Sequence, residues 1–178
     1  MTSYLNEPDT DSDHEVECSL SEEEINELKI RFETLKAEGN ALFSSQDLEG
    51  ALEKYSEIIR LRKSSNLPPD DVILANRSAT YMGLKRYVPA SHDALQAAKA
   101  NPNNWKAHWR HALSLMEMAP KRFRTNQAIA SLETCKTCAT LPDSKRSDVE
   151  AQLQKARARL AKQDAETPMP DMSNCAPS

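Results

Sequence analysis

Apolar residues return every three or four positions along most of the chain, which is the spacing of one face of an α-helix. A first helix is predicted to begin near Ser21, where Ser21 and Glu24 have the spacing of a capping box. In such a box the serine side chain accepts a bond from a free backbone amide, and the glutamate side chain reaches back to the cap. The apolar stripe of this helix consists of Ile25, Leu28, Phe32, Leu35 and Leu42. Short breaks divide the rest of the pattern, so it predicts a series of helices.

Turn-forming residues and prolines at these breaks predict six more helices after the first. They are predicted at about 48–61, from Asp70 or Asp71 to the turn at Lys85, from about Pro89 to Asn101, from Trp105 to about Met118, from Thr125 onward, and from about 144 to 163. Inward-facing residues are predicted for five of these helices. They are Ala51, Leu52, Tyr55, Ile58 and Ile59 of the second helix in the chain; Ile73, Leu74, Ala75, Ala79, Tyr81 and Met82 of the third; Ala90, Ala94, Leu95, Ala97 and Ala98 of the fourth; Ala128, Ile129, Leu132 and Cys135 of the sixth; and Val149, Leu153, Ala156 and Leu160 of the seventh.

The two ends of the chain have a different composition from the helical region. Residues 1–20 are rich in Asp, Glu, Ser and Thr, and residues 164–178 contain three prolines. Neither segment has enough large apolar side chains to offset the entropy of ordering. We therefore expect a disordered acidic N-terminal arm at 1–20, a folded domain at 21–163 and a disordered tail at 164–178.

Composition and charge narrow the function classes. The 178 residues contain only three glycines and carry a net charge of −4, so the sequence predicts an all-α protein without a basic surface for nucleic acid. No apolar run is long enough to span a membrane, and the start of the chain does not resemble a signal peptide. The four cysteines form no disulfide framework by their spacing. A cytoplasmic, monomeric protein without membrane or nucleic-acid partners is expected.

An internal repeat appears when the small residues of alternate helices are compared. Ala51, Ala90 and Ala128 are separated by 39 and 38 positions, while Asn76 and Arg110 are 34 positions apart. A period of 34 residues is typical of one kind of helical hairpin repeat, provided that two insertions fall in loops. A generic helical bundle is the alternative interpretation.

The stretch Lys36-x-x-Gly39-Asn40-x-x-Phe43, followed by Ala51 and Tyr55, resembles the opening of a tetratricopeptide repeat. Pro102 also closes the second repeat where that family has its proline. The resemblance implies an all-α, right-handed helical solenoid of three helix pairs, at about 29–63, 71–104 and 105–141, with a C-terminal capping helix at about 144–163. In this family the first helix of each pair lines a concave groove.

Five polar residues of the predicted first helices resemble, position by position, the two-carboxylate clamp of chaperone-binding tetratricopeptide domains. They are Lys36, Asn40, Asn76, Lys106 and Arg110. In that family the clamp holds the last residue of a peptide ending in Glu-Glu-Val-Asp, the C-terminus of cytosolic heat-shock chaperones of the seventy- and ninety-kilodalton classes. The resemblance implies that Lys36, Asn40 and Asn76 hold the α-carboxylate. It places Lys106 against the aspartate side chain and Arg110 near the other acidic groups.

The chemistry of these residue types fits such a ligand. Asparagine donates to a carboxylate without adding charge, lysine supplies a flexible point charge, and arginine supplies a planar fork of donors. The sequence therefore predicts a co-chaperone or adaptor that is not an enzyme, with no catalytic residues, cofactor or metal. The alternative is a scaffold module that binds an internal segment of a partner through apolar groove residues.

The cysteines and tryptophans allow more than one interpretation of their roles. Cys135 and Cys138 have the spacing of half a metal or redox motif, but we interpret them as core residues because no second pair follows. Cys175 is the fourth residue from the end, where a prenylation box would need it, although Pro177 fits the box poorly. Trp105 and Trp109 are four apart, and the sequence does not say which of them packs and which could contact a peptide.

Overall fold

The computed structural model describes residues 21–166, and all regular structure in this range is α-helical. The described range contains seven helices, with bounds α1 Glu22–Ser44, α2 Leu48–Ser64, α3 Asp71–Gly83, α4 Tyr87–Ala100, α5 Trp105–Glu117, α6 Arg122–Thr137 and α7 Asp143–Glu166. Within 21–166, no helix combines the length and apolar character that a bilayer span requires. The predicted arm at 1–20 and the Cys175 prenylation box lie outside the described residues.

Local capping sets several of the helix starts. Ser21 and Glu24 form the predicted capping box, with Ser21 N donating to Glu24 Oε2 at 2.8 Å and Glu24 N donating to Ser21 Oγ at 3.2 Å. Asp70 caps α3 by accepting from two backbone amides, and Asn104 caps α5 by accepting from the amide of Ala107. These short polar side chains satisfy donors that a helix start leaves without a partner.

The turns inside the first two helix pairs share an unusual backbone conformation. Gln46 and Lys85 both have positive φ, at 66° and 56°, and each stands two residues before the start of the second helix of its pair. They are separated by 39 positions, the same interval as Ala51 and Ala90. The repeated turn therefore supports the register that the small residues predicted.

Each helix packs on the next one along the chain, and α3 also contacts α5. The core consists of three successive clusters, so no single centre serves the whole chain. The first joins α1, α2 and Ile73, the second is formed by alanines and Leu74 of α3, α4 and α5, and the third joins α5, α6 and α7. This layered core is the organisation of a helical solenoid, in which each unit is stabilised by its neighbours.

Close packing between α1 and α2 explains the glycine in the middle of α1. A Cβ atom added to Gly39 would lie 2.8 Å from Cε1 of Tyr55, a ring that is only 1% exposed. Glycine in the middle of a helix costs about 1 kcal/mol against alanine, so its presence there indicates close approach of another helix. The structure shows this approach, since the tyrosine ring packs against α1 at Gly39. This contact fixes where the tyrosine hydroxyl points.

A buried ion pair links α3 to α4. Arg77 Nε and Nη2 donate to the two carboxylate oxygens of Asp93 at 2.6 and 2.9 Å, and Nη1 donates to Ser56 Oγ of α2 at 3.2 Å. The Asp93 side chain is 3% exposed, although it lies on the same buried face of α4 as small apolar residues. This guanidinium therefore ties together three helices of two neighbouring repeats.

Three predictions on the helices are corrected. Leu95 was expected inside, but it is 38% exposed because alanines and Asp93 occupy the buried face of α4. Ile25 is 36% exposed, since it lies in the part of α1 that precedes the α1–α2 core. Residues 164–166 were assigned to the tail, whereas α7 continues to Glu166 and Asp164 Oδ1 lies 2.7 Å from Arg122 Nε.

The structure also extends α6 and places the cysteine pair. Helix α6 begins at Arg122 rather than at Thr125, because the carbonyl oxygen of Lys121 already accepts from the amide of Thr125. Cys135 and Cys138 both belong to the third core cluster, with Cys138 just beyond the end of α6. Burial raises the pKa of Cys135 to about 12, with a smaller contribution from Cys138, and burial also raises the pKa of Cys138. The core interpretation of the two cysteines is confirmed.

Candidate functional site

The first helices of the three pairs, α1, α3 and α5, contribute the polar side chains of one continuous face. Asn76 of α3 bonds to Asn40 of α1, and Arg110 of α5 donates from Nη1 to the carbonyl oxygen of Ala75 at 2.8 Å. These bonds cross from repeat to repeat at separations of 36 and 35 residues. The predicted groove residues of the three repeats are thus brought together by the stacking of the helix pairs.

The amide of Asn40 is oriented by two donors. Its Oδ1 accepts from the Tyr55 hydroxyl at 2.7 Å and from Nδ2 of Asn76 at 3.3 Å. Because both bonds use the oxygen, the amino group of Asn40 is left to donate elsewhere. Asn76 retains one of its two amide hydrogens for the same purpose.

Two adjoining cavities lie along this face, and they share Asn76 and Arg110. The first has a volume of about 200 Å³ and is lined by Asn40, Phe43, Ser44, Tyr55, Asn76, Ala79 and Arg110. The second, of about 260 Å³, also includes Lys106, Trp105, Val72 and Asp71 in its lining. The walls combine aromatic and aliphatic surface with amide and cationic donors, which is the usual composition of a ligand-binding cleft.

Arg110 is the cation at the junction of the two cavities. Burial lowers its pKa to about 10, partly opposed by Tyr55, and it therefore remains charged at neutral pH. Within residues 21–166 it forms no salt bridge, and its hydrogen bond to the Ala75 carbonyl leaves most of its five N–H donors to other partners. A partly buried guanidinium without a carboxylate partner is costly to keep, and an incoming anion would offset that cost.

The two predicted lysines differ in their surroundings. Lys106 is exposed, lines the second cavity and forms no salt bridge with a described residue. Lys36 lies one turn before Asn40 on the same face of α1, and its Nζ is 3.3 Å from Oε1 of Glu33. Neither of the two cavities has Lys36 in its lining. Four of the five predicted residues therefore line at least one of the two adjoining cavities, and Lys36 lines neither.

Sequence reasoning missed part of the lining. Tyr55 was assigned to the core, yet its hydroxyl bonds to Asn40, and Asp71 was considered only as one of two possible starts of the third helix. A tyrosine at a fully buried position is the available signal, because a buried hydroxyl needs a hydrogen-bond partner. Trp105 and Trp109 both pack against the third core cluster, and Trp105 also lines the second cavity.

The Asp71 carboxylate lines the second cavity and is hydrogen-bonded by two asparagines. Its Oδ2 accepts from Nδ2 of Asn101 at 2.9 Å and from Nδ2 of Asn104 at 2.7 Å. These bonds occupy an acid at the edge of an otherwise cationic space. Among the described residues, Asp71 forms no salt bridge with Lys106 or Arg110.

Comparison with known proteins places this arrangement in context. No protein-family model matches the chain. The chain is 33% identical over 100 residues, 56% of its length, to small glutamine-rich tetratricopeptide repeat-containing protein 2 of Saccharomyces cerevisiae, of which it covers 27%. It spans between 10% and 27% of the length of this and other curated relatives that it matches.

Solved structures extend the likeness to most of the helices. A structure described as "TPR2B-domain:pHsp70-complex of yeast Sti1" matches 73% of this chain and 98% of its own, with a TM-score of 0.61 and 22% identity. The chain has the tetratricopeptide repeat fold. A second structure, "First TPR of Spaghetti (RPAP3) bound to HSP90 peptide SRMEEVD", covers 74% of this chain and 94% of its own, with a TM-score of 0.62 and 21% identity. In tetratricopeptide repeat terms, α1–α2, α3–α4 and α5–α6 are the helix pairs and α7 packs on the last of them.

Proposed function

We propose that this tetratricopeptide repeat groove binds the C-terminal peptide of cytosolic heat-shock chaperones ending in Glu-Glu-Val-Asp, and that the protein acts as a monomeric cytosolic adaptor. The observation that carries the proposal is Arg110, a partly buried cation that joins both cavities and has no carboxylate partner within residues 21–166. Two structural neighbours support the ligand class, since one is described in complex with Hsp70 and the other with an HSP90 peptide.

A C-terminal aspartate suits the hydrogen-bond donors that line the two adjoining cavities. It carries two carboxylates on one residue, and the groove offers the amino groups of Asn40 and Asn76 beside the charges of Lys106 and Arg110. Each charge-assisted hydrogen bond contributes about 1.5–3 kcal/mol. A few such bonds, less the cost of ordering the peptide, correspond to a dissociation constant in the micromolar range, or about −8 kcal/mol.

Lys106→Ala tests the site with the full chain. The exposed lysine contributes charge to the second cavity, so its removal should weaken binding of the peptide Ser-Arg-Met-Glu-Glu-Val-Asp about tenfold while leaving the helical circular dichroism unchanged. Isothermal titration calorimetry at fixed salt measures the affinity.

Lys99→Ala is the matched control, because Lys99 is an exposed lysine of α4, the second helix of its pair. It changes the net charge by the same amount and should alter the affinity by less than about twofold. Equal losses in the two variants would mean that only overall charge matters, and this result would contradict the assignment of Lys106 to the site.

A further inference from the structure

Tyr55 connects the packing of the first repeat to the polar face of the groove. The residue is 1% exposed, its ring lies against Gly39, and it lines the 200 Å³ cavity together with Asn40 and Arg110. The tyrosine comes from α2, the second helix of the pair, whereas the other polar residues of the clamp come from first helices. Tyr55 therefore contacts the site from the second helix of its pair rather than from a groove-lining first helix.

The hydroxyl decides which end of the Asn40 amide faces the cavity. A free asparagine side chain can present either its oxygen or its amino group, and the two faces have opposite preferences for an anion. The Tyr55 hydroxyl donates to Oδ1 at 2.7 Å, and Asn76 Nδ2 donates to the same oxygen at 3.3 Å. With its oxygen engaged twice, the amide has its two N–H donors left to offer to a ligand.

We infer that Tyr55 is a positioning residue of the peptide site, which acts through Asn40 by holding its amide as a donor to the terminal carboxylate. The inference rests on the proposed function, and it adds a residue that the resemblance to the clamp does not include. Without the hydroxyl, Asn40 keeps only the longer bond from Asn76. Part of the binding free energy must then be spent on turning and fixing the amide.

A double-mutant cycle in the full chain separates positioning from general packing. Tyr55→Phe should weaken binding of Ser-Arg-Met-Glu-Glu-Val-Asp about three- to tenfold, the range expected for one hydrogen bond. In an Asn40→Ala background the same change should have less than about a twofold effect, because the hydroxyl then has no amide to orient. Tyr87→Phe is the matched control, since no described residue bonds its hydroxyl and it lies on α4; its effect should stay below about twofold.

A second measurement does not depend on the peptide. The side-chain amide signals of Asn40 in the nuclear magnetic resonance spectrum should shift in Tyr55→Phe, while those of Asn126, an exposed residue of α6, should not. Unshifted Asn40 signals, or an equal loss of affinity from Tyr55→Phe with and without Asn40, would overturn the positioning role. The Asn40 signals could also shift in Tyr55→Phe while the wild-type chain fails to bind the peptide. That result would refute the proposed function, and it would show that Tyr55 orients Asn40 without any role in peptide binding.

Discussion

Arg110→Ala should reduce affinity for Ser-Arg-Met-Glu-Glu-Val-Asp by at least tenfold and by up to about a hundredfold. The guanidinium lines both cavities, and its burial strengthens any bond that it makes with a carboxylate. One or two charge-assisted hydrogen bonds at about 1.5–3 kcal/mol each account for a change of this size. Calorimetric titration of the full chain measures it.

The structural cost of this substitution should be modest. Among the described residues, the one hydrogen bond to be lost is that from Nη1 to the Ala75 carbonyl, and removal of a desolvated charge partly offsets it. Arg110→Lys keeps a charge but not the planar fork, so an affinity between those of the wild type and Arg110→Ala is expected. Arg60→Ala, an exposed arginine of α2, is the control. Wild-type affinity in Arg110→Ala would remove this arginine from the site.

Asp93→Ala should lower the free energy of unfolding by about 3–5 kcal/mol. The carboxylate is 3% exposed and receives two bonds from Arg77, whose guanidinium would be left partly buried without its partner. Since that guanidinium also bonds to Ser56, the loss should loosen the packing of α2, α3 and α4 together. Urea unfolding followed by circular dichroism measures the change.

An exposed ion pair between the first two repeats provides the comparison for Asp93. Arg86 Nη2 lies 2.7 Å from Glu49 Oε1, and both side chains are at least half exposed. Pairs of this kind contribute about 0–1 kcal/mol, so Glu49→Ala should change stability by no more than that. Similar losses in Asp93→Ala and Glu49→Ala would show that burial does not make the Arg77–Asp93 pair special.

The features predicted correctly from sequence are those with local causes. Ser21 and Glu24 are three residues apart, so their capping box needs no knowledge of the fold. Gly39 in a helical pattern indicated close approach of a neighbouring helix, and the spacing of Ala51 and Ala90 predicted the register of the repeat. In each case the physical reason is contained in a few consecutive residues or in a regular interval.

What the sequence could not supply are contacts between distant residues. Asp93 lies on a helix face that is otherwise formed by small residues, and nothing near it in the chain identifies Arg77 as its partner. Leu95 was misplaced because that ion pair and the alanines take the buried face of α4. The bond from Tyr55 to Asn40 likewise depends on how α2 packs on α1, which periodicity alone does not specify.

Binding of the wild-type chain to Ser-Arg-Met-Glu-Glu-Val-Asp, compared with the same peptide amidated at its C-terminus, is the most direct test of peptide capture by the groove. Amidation removes the charge of the α-carboxylate and leaves every side chain in place, so the comparison isolates the group that Asn40 and Asn76 are proposed to hold. Micromolar binding of the free peptide, with a loss of at least tenfold on amidation, is expected. Equal binding of the two peptides, or binding of neither, would contradict the proposal that this groove recognises a chain terminus.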